Sequence, residues 1–225
     1  MCGIAGSFDP YSGYGLYKQN LSRGYYSSSV VLIHSKGYSI LKTEGAFKYE
    51  DIPHGADYYL FHSRGPTVET NSFDWDDNHP FSYGRFLVAH NGIIENAETI
   101  YDGCKLGVDS RVIPWLADKT LRDDDCTSDG AIHSSLNQLQ GTFGLYIFDT
   151  SSKDISIVRS DIALCYNASW QGIEFSSSNP GTFQDLPLNR IFKFNPQEHN
   201  PILVEGGLLK LTKKPKYFIA GSPKV

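Results

Sequence analysis

A cysteine stands second in the chain, directly behind the initiator methionine, in the stretch MCGIAG. Removal of Met1 would leave the Cys2 thiol and a free α-amine on one residue. With an ordinary pKa of about 8, that amine can exchange protons with a reacting thiol, directly or through one water. Nucleophile and base then come from the same residue. Free cysteines are usually buried as small apolar groups, so the meaning of Cys2 depends on what the rest of the chain supplies.

A thiol that attacks an amide carbonyl needs hydrogen-bond donors aimed at the oxyanion it creates. The stretch AHNG, at the end of an apolar run, offers two: the Asn91 side-chain amide and the Gly92 backbone N–H. Standing alone, Asn-Gly signals a hairpin turn. FHSRGPT puts Arg64 at a strand end, where a guanidinium fork can take a carboxylate through two parallel bonds. Asp109, opening a helix, is placed to take an α-ammonium. Taken singly, Arg64 reads as a surface ion-pair residue and Asp109 as a helix cap.

The elements that must hold these residues are legible in outline. CGIAGSF suits a short buried strand with close backbone approach. YGLYKQNLSRGYYS predicts a short helix stopped at Gly24, with Leu16, Gln19, Asn20 and Arg23 at helical spacing. SVVLIHS, YSILKTEG, DYYLFHSR and RFLVAHNG read as strands. DSRVIPWLADKTL predicts a helix with Asp109 or Ser110 as cap, and Pro114 demands a late start or a kink. TSDGAIHSSLNQLQG predicts a second helix with Ile132, Leu136 and Leu139 on one face, ending at Gly141. Strand patterns resume in GTFGLYIFDT, DISIVRSD, ALCYNASW, GIEFSSSN and RIFKFNP. This order predicts an α+β fold with helices and antiparallel sheet in separate layers.

Composition narrows the classes. At 225 residues, with 40% hydrophobic and 20% charged residues, the chain is expected to form a single globular domain over 1–225. A net charge of -5 argues against direct binding to nucleic acid, which needs a basic surface. The four cysteines, Cys2, Cys104, Cys126 and Cys165, form no C-x-x-C pair, so no metal site is expected from them. Without a secretory leader or a membrane-length apolar run, they read as reduced thiols in a cytoplasmic protein. FDWDDNH and RDDDCTSD lack the Gly and closing Glu of a calcium loop and read as solvated loops. Residues 201–225 read as a basic strand or tail, with five lysines and no acids from Leu208 on.

Taken together, MCGIAG, SRGYYS, FHSRGPT, NHPF, AHNG, VDSRVI and QLQGTFGLYIFD resemble, in that order, the landmarks of the class II glutamine amidotransferase domain. The resemblance runs from Cys2 to about residue 180. It implies the four-layer αββα N-terminal nucleophile hydrolase fold, with two stacked, mainly antiparallel sheets. It also implies Cys2 as nucleophile, Asn91 and Gly92 as oxyanion donors, and Arg64, Asp109 and Thr67 as glutamine-binding residues. His79 and His90 match family histidines and are taken as supporting residues. Tyr26, Gly65, Val68 and Arg111 depart from the family pattern, which bears on the loop covering bound glutamine and on coupling to a partner.

The resemblance implies hydrolysis of the L-glutamine side-chain amide through a γ-glutamyl thioester, with no cofactor. Ammonia would go to a separate acceptor synthase subunit, because the chain ends too soon to carry an acceptor domain. Two rivals stand beside this reading. One is an N-terminal-cysteine hydrolase of the same fold acting on another amide, against which Arg64 and Asp109 argue. The other is a catalytically silent regulatory or scaffold protein, favoured by Gly65, Val68 and Arg111.

Overall fold

The chain was described from a computed structural model, covering residues 1–65, 74–102, 108–198 and 201–211. In chain order the elements are β1 (Gly3–Ser7), α1 (Pro10–Asn20), β2 (Ser27–His34), β3 (Gly37–Glu44), β4 (Tyr58–Arg64), β5 (Phe81–Tyr83) and β6 (Phe86–Ile94). There follow α2 (Ala97–Ile100), α3 (Val112–Asp123), α4 (Ser128–Gln138), β7 (Gly141–Asp149), β8 (Ile155–Arg159) and β9 (Cys165–Ser169). The last four are β10 (Gly172–Ser176), β11 (Gln184–Asp185), β12 (Arg190–Phe194) and β13 (Val204–Leu208).

Two sheets result, one ordered β11-β9-β10-β1-β4-β2-β3 and the other β13-β12-β8-β7-β6-β5. Neighbouring strands pair antiparallel in both. Side-chain alternation divides the apolar residues among three layers of core. Val31, Leu60, Ala89 and Tyr146 pack between the sheets. Leu16 and Tyr17 of α1 cover the outer face of the first sheet with Val30 and Phe61. Val112 and Leu116 of α3, with Ile132 and Leu136 of α4, cover the second sheet over Val88 and Leu145. Three cores between four layers make the αββα architecture.

Local chemistry explains where the helices differ from expectation. α1 begins four residues before YGLYKQN because Asp9 caps it, accepting the Ser12 N–H at 2.7 Å, with Pro10 in the first turn. A 3-10 turn, Leu21–Arg23, carries the chain on to Gly24. Neither Asp109 nor Ser110 caps α3; both lie in a 3-10 turn, Asp109–Arg111, that leads into it. Pro114 falls in the first turn of α3, where its missing N–H costs nothing, so the helix starts late. α4 stops at Gln138, before Gly141, which opens β7 with φ 130°. Among the described residues, no helix is long and apolar enough to cross a membrane.

Candidate active site

Strand parity brings the chemistry-bearing residues to one end of the space between the sheets. Ile4 of β1 faces the inter-sheet core, so Cys2 points the same way. The β1–β4 register, with Gly3 opposite Ser63, carries Cys2 to the level of Arg64. Leu60 of β4 also lines this core, followed on the same face by His62 and Arg64. Across the gap, Ala89 of β6 lines it, followed by Asn91. Asn91 and Gly92 lie within β6, not in a hairpin turn.

The N-terminal strand is held by polar side chains at its start. Arg23 Nε donates to the Cys2 carbonyl at 2.9 Å. Asn20 Nδ2 donates to the Ile4 carbonyl and to Ser176 Oγ, and Ser177 Oγ accepts the Ile4 N–H at 3.0 Å. Gly24 and Gly65 pack backbone to backbone: a Cβ on Gly24 would lie 2.3 Å from Gly65 Cα. A Cβ on Gly65 would lie 2.4 Å from the Met1 carbonyl oxygen. The Gly65 departure thus has a local reason in the close approach of the N-terminus. Because Met1 is attached, the Cys2 nitrogen here is an amide.

Burial pushes the Cys2 thiol above its usual pKa, and Asp109 adds to this; the Gly65 backbone N–H, the N-terminal ammonium and Arg64 pull the other way. Cys2, Arg64 and Asp109 therefore share one electrostatic neighbourhood. Asp109 Oδ2 accepts the Ile94 N–H at 2.6 Å, which ties the 3-10 turn to the end of β6. His90 reinforces that tie, with Nδ1 2.9 Å from Ser110 Oγ and Nε2 3.4 Å from the Thr142 carbonyl of β7. Gly92 has φ 141°, and a Cβ there would sit 2.0 Å from the Thr142 oxygen, so no other residue fits. The Asn91 side chain is buried, and its Nδ2 has no hydrogen-bond partner among the described residues.

The acidic stretch around Trp75 is a loop exposed at Asp74, Trp75 and Asp76, as expected, but its backbone is tied to the sheets. Lys42 Nζ donates to the carbonyls of Trp75 and Asn78 at 2.8 and 2.6 Å. Arg64 donates to the Asp77 carbonyl at 2.8 Å and to Asn78 Oδ1 at 3.0 Å. Arg111 reaches the Asp76 carbonyl and Asp77 Oδ1. Three cations from β3, β4 and the 3-10 turn thus clamp residues 75–78 over the end of the sheets, and Ser27 bonds Asn78 from below.

Beneath this loop, the His79 ring lies against His62 with centroids 4.1 Å apart and planes tilted by 35°, and it meets Phe81 edge-on. Burial, and the positive charge of Arg64 nearby, lower the His62 pKa to about 3. Burial also holds His79 well below its ordinary value, and His90 is lowered by burial against an opposing pull from Asp109. Both ring nitrogens of His79 and Nε2 of His62 lack partners among the described residues. These groups are neutral at pH 7.

Thr67 and Val68 lie outside the described residues. Sequence reasoning assigned no role to Arg23, Asn20, His62, Lys42 or Asn78. Arg23, His62 and Asn78 stand inside the quoted SRGYYS, FHSRGPT and NHPF, whereas Lys42 gives no local signal. Among the described residues, no cluster of three or more His, Cys, Asp or Glu is arranged to hold a metal ion. A cavity of about 450 Å³ lies at the opposite end of the sheets, beside Phe8, Tyr58 and Trp170, away from this chemistry.

No family model matches the chain. A glutamine–fructose-6-phosphate aminotransferase of Geobacillus kaustophilus is 28% identical over 172 residues, covering 68% of this chain and 28% of the relative. Its namesake from Staphylococcus epidermidis is 28% identical over 180 residues, covering 72% and 29%. The chain thus spans under a third of the length of these curated relatives. Among solved structures, glutamine phosphoribosylpyrophosphate amidotransferase of B. subtilis superposes with a TM-score of 0.73 at 15% identity, over 92% of this chain and 49% of the other. A predicted glutamine amidotransferase of Pseudomonas aeruginosa superposes with a TM-score of 0.54 at 11% identity, over 87% and 94%. In fold the chain is similar to these solved amidotransferases, and in sequence to the part of the aminotransferases that it matches.

Proposed function

We propose that this chain is a glutaminase subunit that hydrolyses the side-chain amide of L-glutamine through Cys2 and supplies ammonia to a separate acceptor synthase. Residues 1–225 act as one glutaminase domain, with 201–225 as its basic C-terminal strand and tail. Arg64 takes the substrate α-carboxylate and Asp109 its α-ammonium, with Thr67 contributing to the same pocket. After Met1 is removed, the Cys2 sulfur attacks the amide carbon while the thiol proton passes to the α-amine. The Asn91 amide and Gly92 N–H hold the oxyanion. The amine protonates the departing nitrogen, ammonia leaves, and a γ-glutamyl thioester remains. Water, deprotonated by the amine, then cleaves the C–S bond and releases glutamate. His79 and His90 support this site from beneath without touching substrate.

The observation that carries this reading is the Asn91 Nδ2, buried and unpartnered among the described residues, on the face that Cys2 also points to. Leaving a buried donor unmade costs about 1–3 kcal/mol, so its vacancy calls for an acceptor that arrives with substrate. An amide oxygen turning into an oxyanion is such an acceptor. The Arg64 and Asp109 pair favours an α-amino acid over other amides, because it supplies one charge for each end.

The test combines intact mass, which reports Met1 removal, with ammonia release from glutamine, alone and with candidate synthase partners. Cys2→Ala should abolish hydrolysis with the fold intact. A chain with a blocked Cys2 amine should also be inactive, since the thiol alone lacks its base. Full activity in the blocked chain would rule out the amine as base, and activity in Cys2→Ala would rule out the nucleophile.

A further inference from the structure

The two sheets have four edges, and three are blunted. β11 has two residues and β5 has three. β13 carries Gly206 and Gly207 and is out of register with β12 at a bulge between Ile191 and Phe192. β3 differs: its eight residues pair with β2 in unbroken register, from Ser27 opposite Glu44 to His34 opposite Gly37. Among the described residues nothing pairs with its other side. A long, regular, unprotected edge is a template for another strand.

Hydrogen-bond parity shows which groups this edge offers. The Gly45 N–H donates to the Tyr26 carbonyl at 2.9 Å, so the odd-numbered residues of β3 bond inward to β2. The Asp57 N–H donates to the Ile33 carbonyl at 2.7 Å, which turns the odd-numbered residues of β2 toward β4 and agrees with that parity. Tyr38, Ile40, Lys42 and Glu44 therefore point their N–H and C=O groups outward. Tyr38 and Ile40 are also large apolar side chains left 41% and 37% exposed.

We propose that β3 pairs antiparallel with β3 of a second copy of this chain, about a two-fold axis through Ile40. The sequence selects this register. Centred on Ile40, the pairing sets Ile40 against its own copy, Tyr38 against Lys42, and Lys36 against Glu44 twice, every pair joining outward-pointing main-chain groups. Centred one residue earlier, on Ser39, it would set Lys36 against Lys42. Centred one residue later, on Leu41, it would set Ile40 against Lys42 and leave Lys36 without an acid. Opposite charges facing each other stabilise a ladder and like charges destabilise it. Some nine residues a side is less than the roughly 800 Å² per partner of a standard interface, so the dimer is concentration-dependent. Because Lys42 holds the carbonyls of Trp75 and Asn78, the strand made internal by pairing is one that supports the rim of the Cys2 site.

The test is sedimentation velocity on the full chain from about 1 to about 200 µM, a range that brackets a micromolar dissociation constant. The expected result is a shift from monomer to dimer across that range. Ile40→Pro should give a monomer with an unchanged far-ultraviolet spectrum, because the N–H it removes points outward. Lys36→Glu and Glu44→Lys should each weaken dimerisation about tenfold, and the double exchange should restore it. These two residues are exposed, so the exchange decides the matter even if the proline variant fails to fold. A chain monomeric throughout, a dimer indifferent to Ile40→Pro, or a double exchange that does not restore pairing would each overturn the proposal.

Discussion

Acidification should unfold this protein earlier than its carboxylates alone would, because His62 and His79 are buried neutral. Burial lowers His62 to about 3 and His79 well below its ordinary value, while in the unfolded chain each titrates at about 6.5. Below that value the unfolded state binds protons that the folded state refuses. Stability is fully present above about pH 6.5 and is lost as pH falls toward the folded values. Each such histidine removes about 1.4 kcal/mol per pH unit in that window. Between about pH 7.5 and about pH 5.5 the two together cost about 3 kcal/mol, and His90, lowered by burial against Asp109, adds a smaller share. Carboxylates barely titrate over that interval, so the histidines dominate it. Urea denaturation at three pH values measures the loss directly, and His62→Gln should remove about half of the slope whatever it does to absolute stability. A change below about 1 kcal/mol across the interval would refute the burial argument, since it would mean that the folded protein accepts those protons.

Two further outcomes follow from the same end of the sheets. Asn91→Ala should lower kcat for glutamine hydrolysis by about 10²–10³ with little change in thermal midpoint, measured by ammonia release and by melting; unchanged turnover would remove Asn91 from the oxyanion site. Gly92→Ala should destabilise the fold by more than about 1 kcal/mol in urea titration, because its φ of 141° and the Thr142 oxygen 2.0 Å from a built Cβ both exclude a side chain. Near-neutral stability there would mean that β6 can slide away from β7.

Much of the fold was written in local pattern. The apolar runs rich in β-branched and aromatic residues in SVVLIHS, DYYLFHSR and RFLVAHNG give β2, β4 and β6 within two residues at either end. The spacing of Ile132, Leu136 and Leu139 gives α4 and its buried face. These features are legible because each depends on near neighbours in the chain. β5 and β11 are edge strands too short for a local signal to mark them. Asn-Gly at 91 and 92 reads as a turn in isolation, yet the nine-residue pairing with β7 keeps it extended. The start of α1 was obscured because Asp-Pro-Tyr-Ser-Gly has turn composition, while the Asp9 cap acts on the next residues.

For the candidate site, residue types and their order along the chain nominate Cys2, Arg64, Asn91, Gly92 and Asp109. That is chemistry the sequence states by itself: a thiol that processing can free, a bidentate cation, two donors and a carboxylate. Only the tertiary structure decided which neighbours act on them. It turned Asp109 from a helix cap into the acceptor of the Ile94 N–H, and made the exposed acidic loop a rim clamped by Lys42, Arg64 and Arg111. It also buried His62 and His79 with His62 Nε2 and both His79 ring nitrogens unpartnered among the described residues. The physical reason is one of range: strand parity and capping are set within a few residues, whereas burial, desolvation and ion pairing depend on which distant strands come to lie face to face.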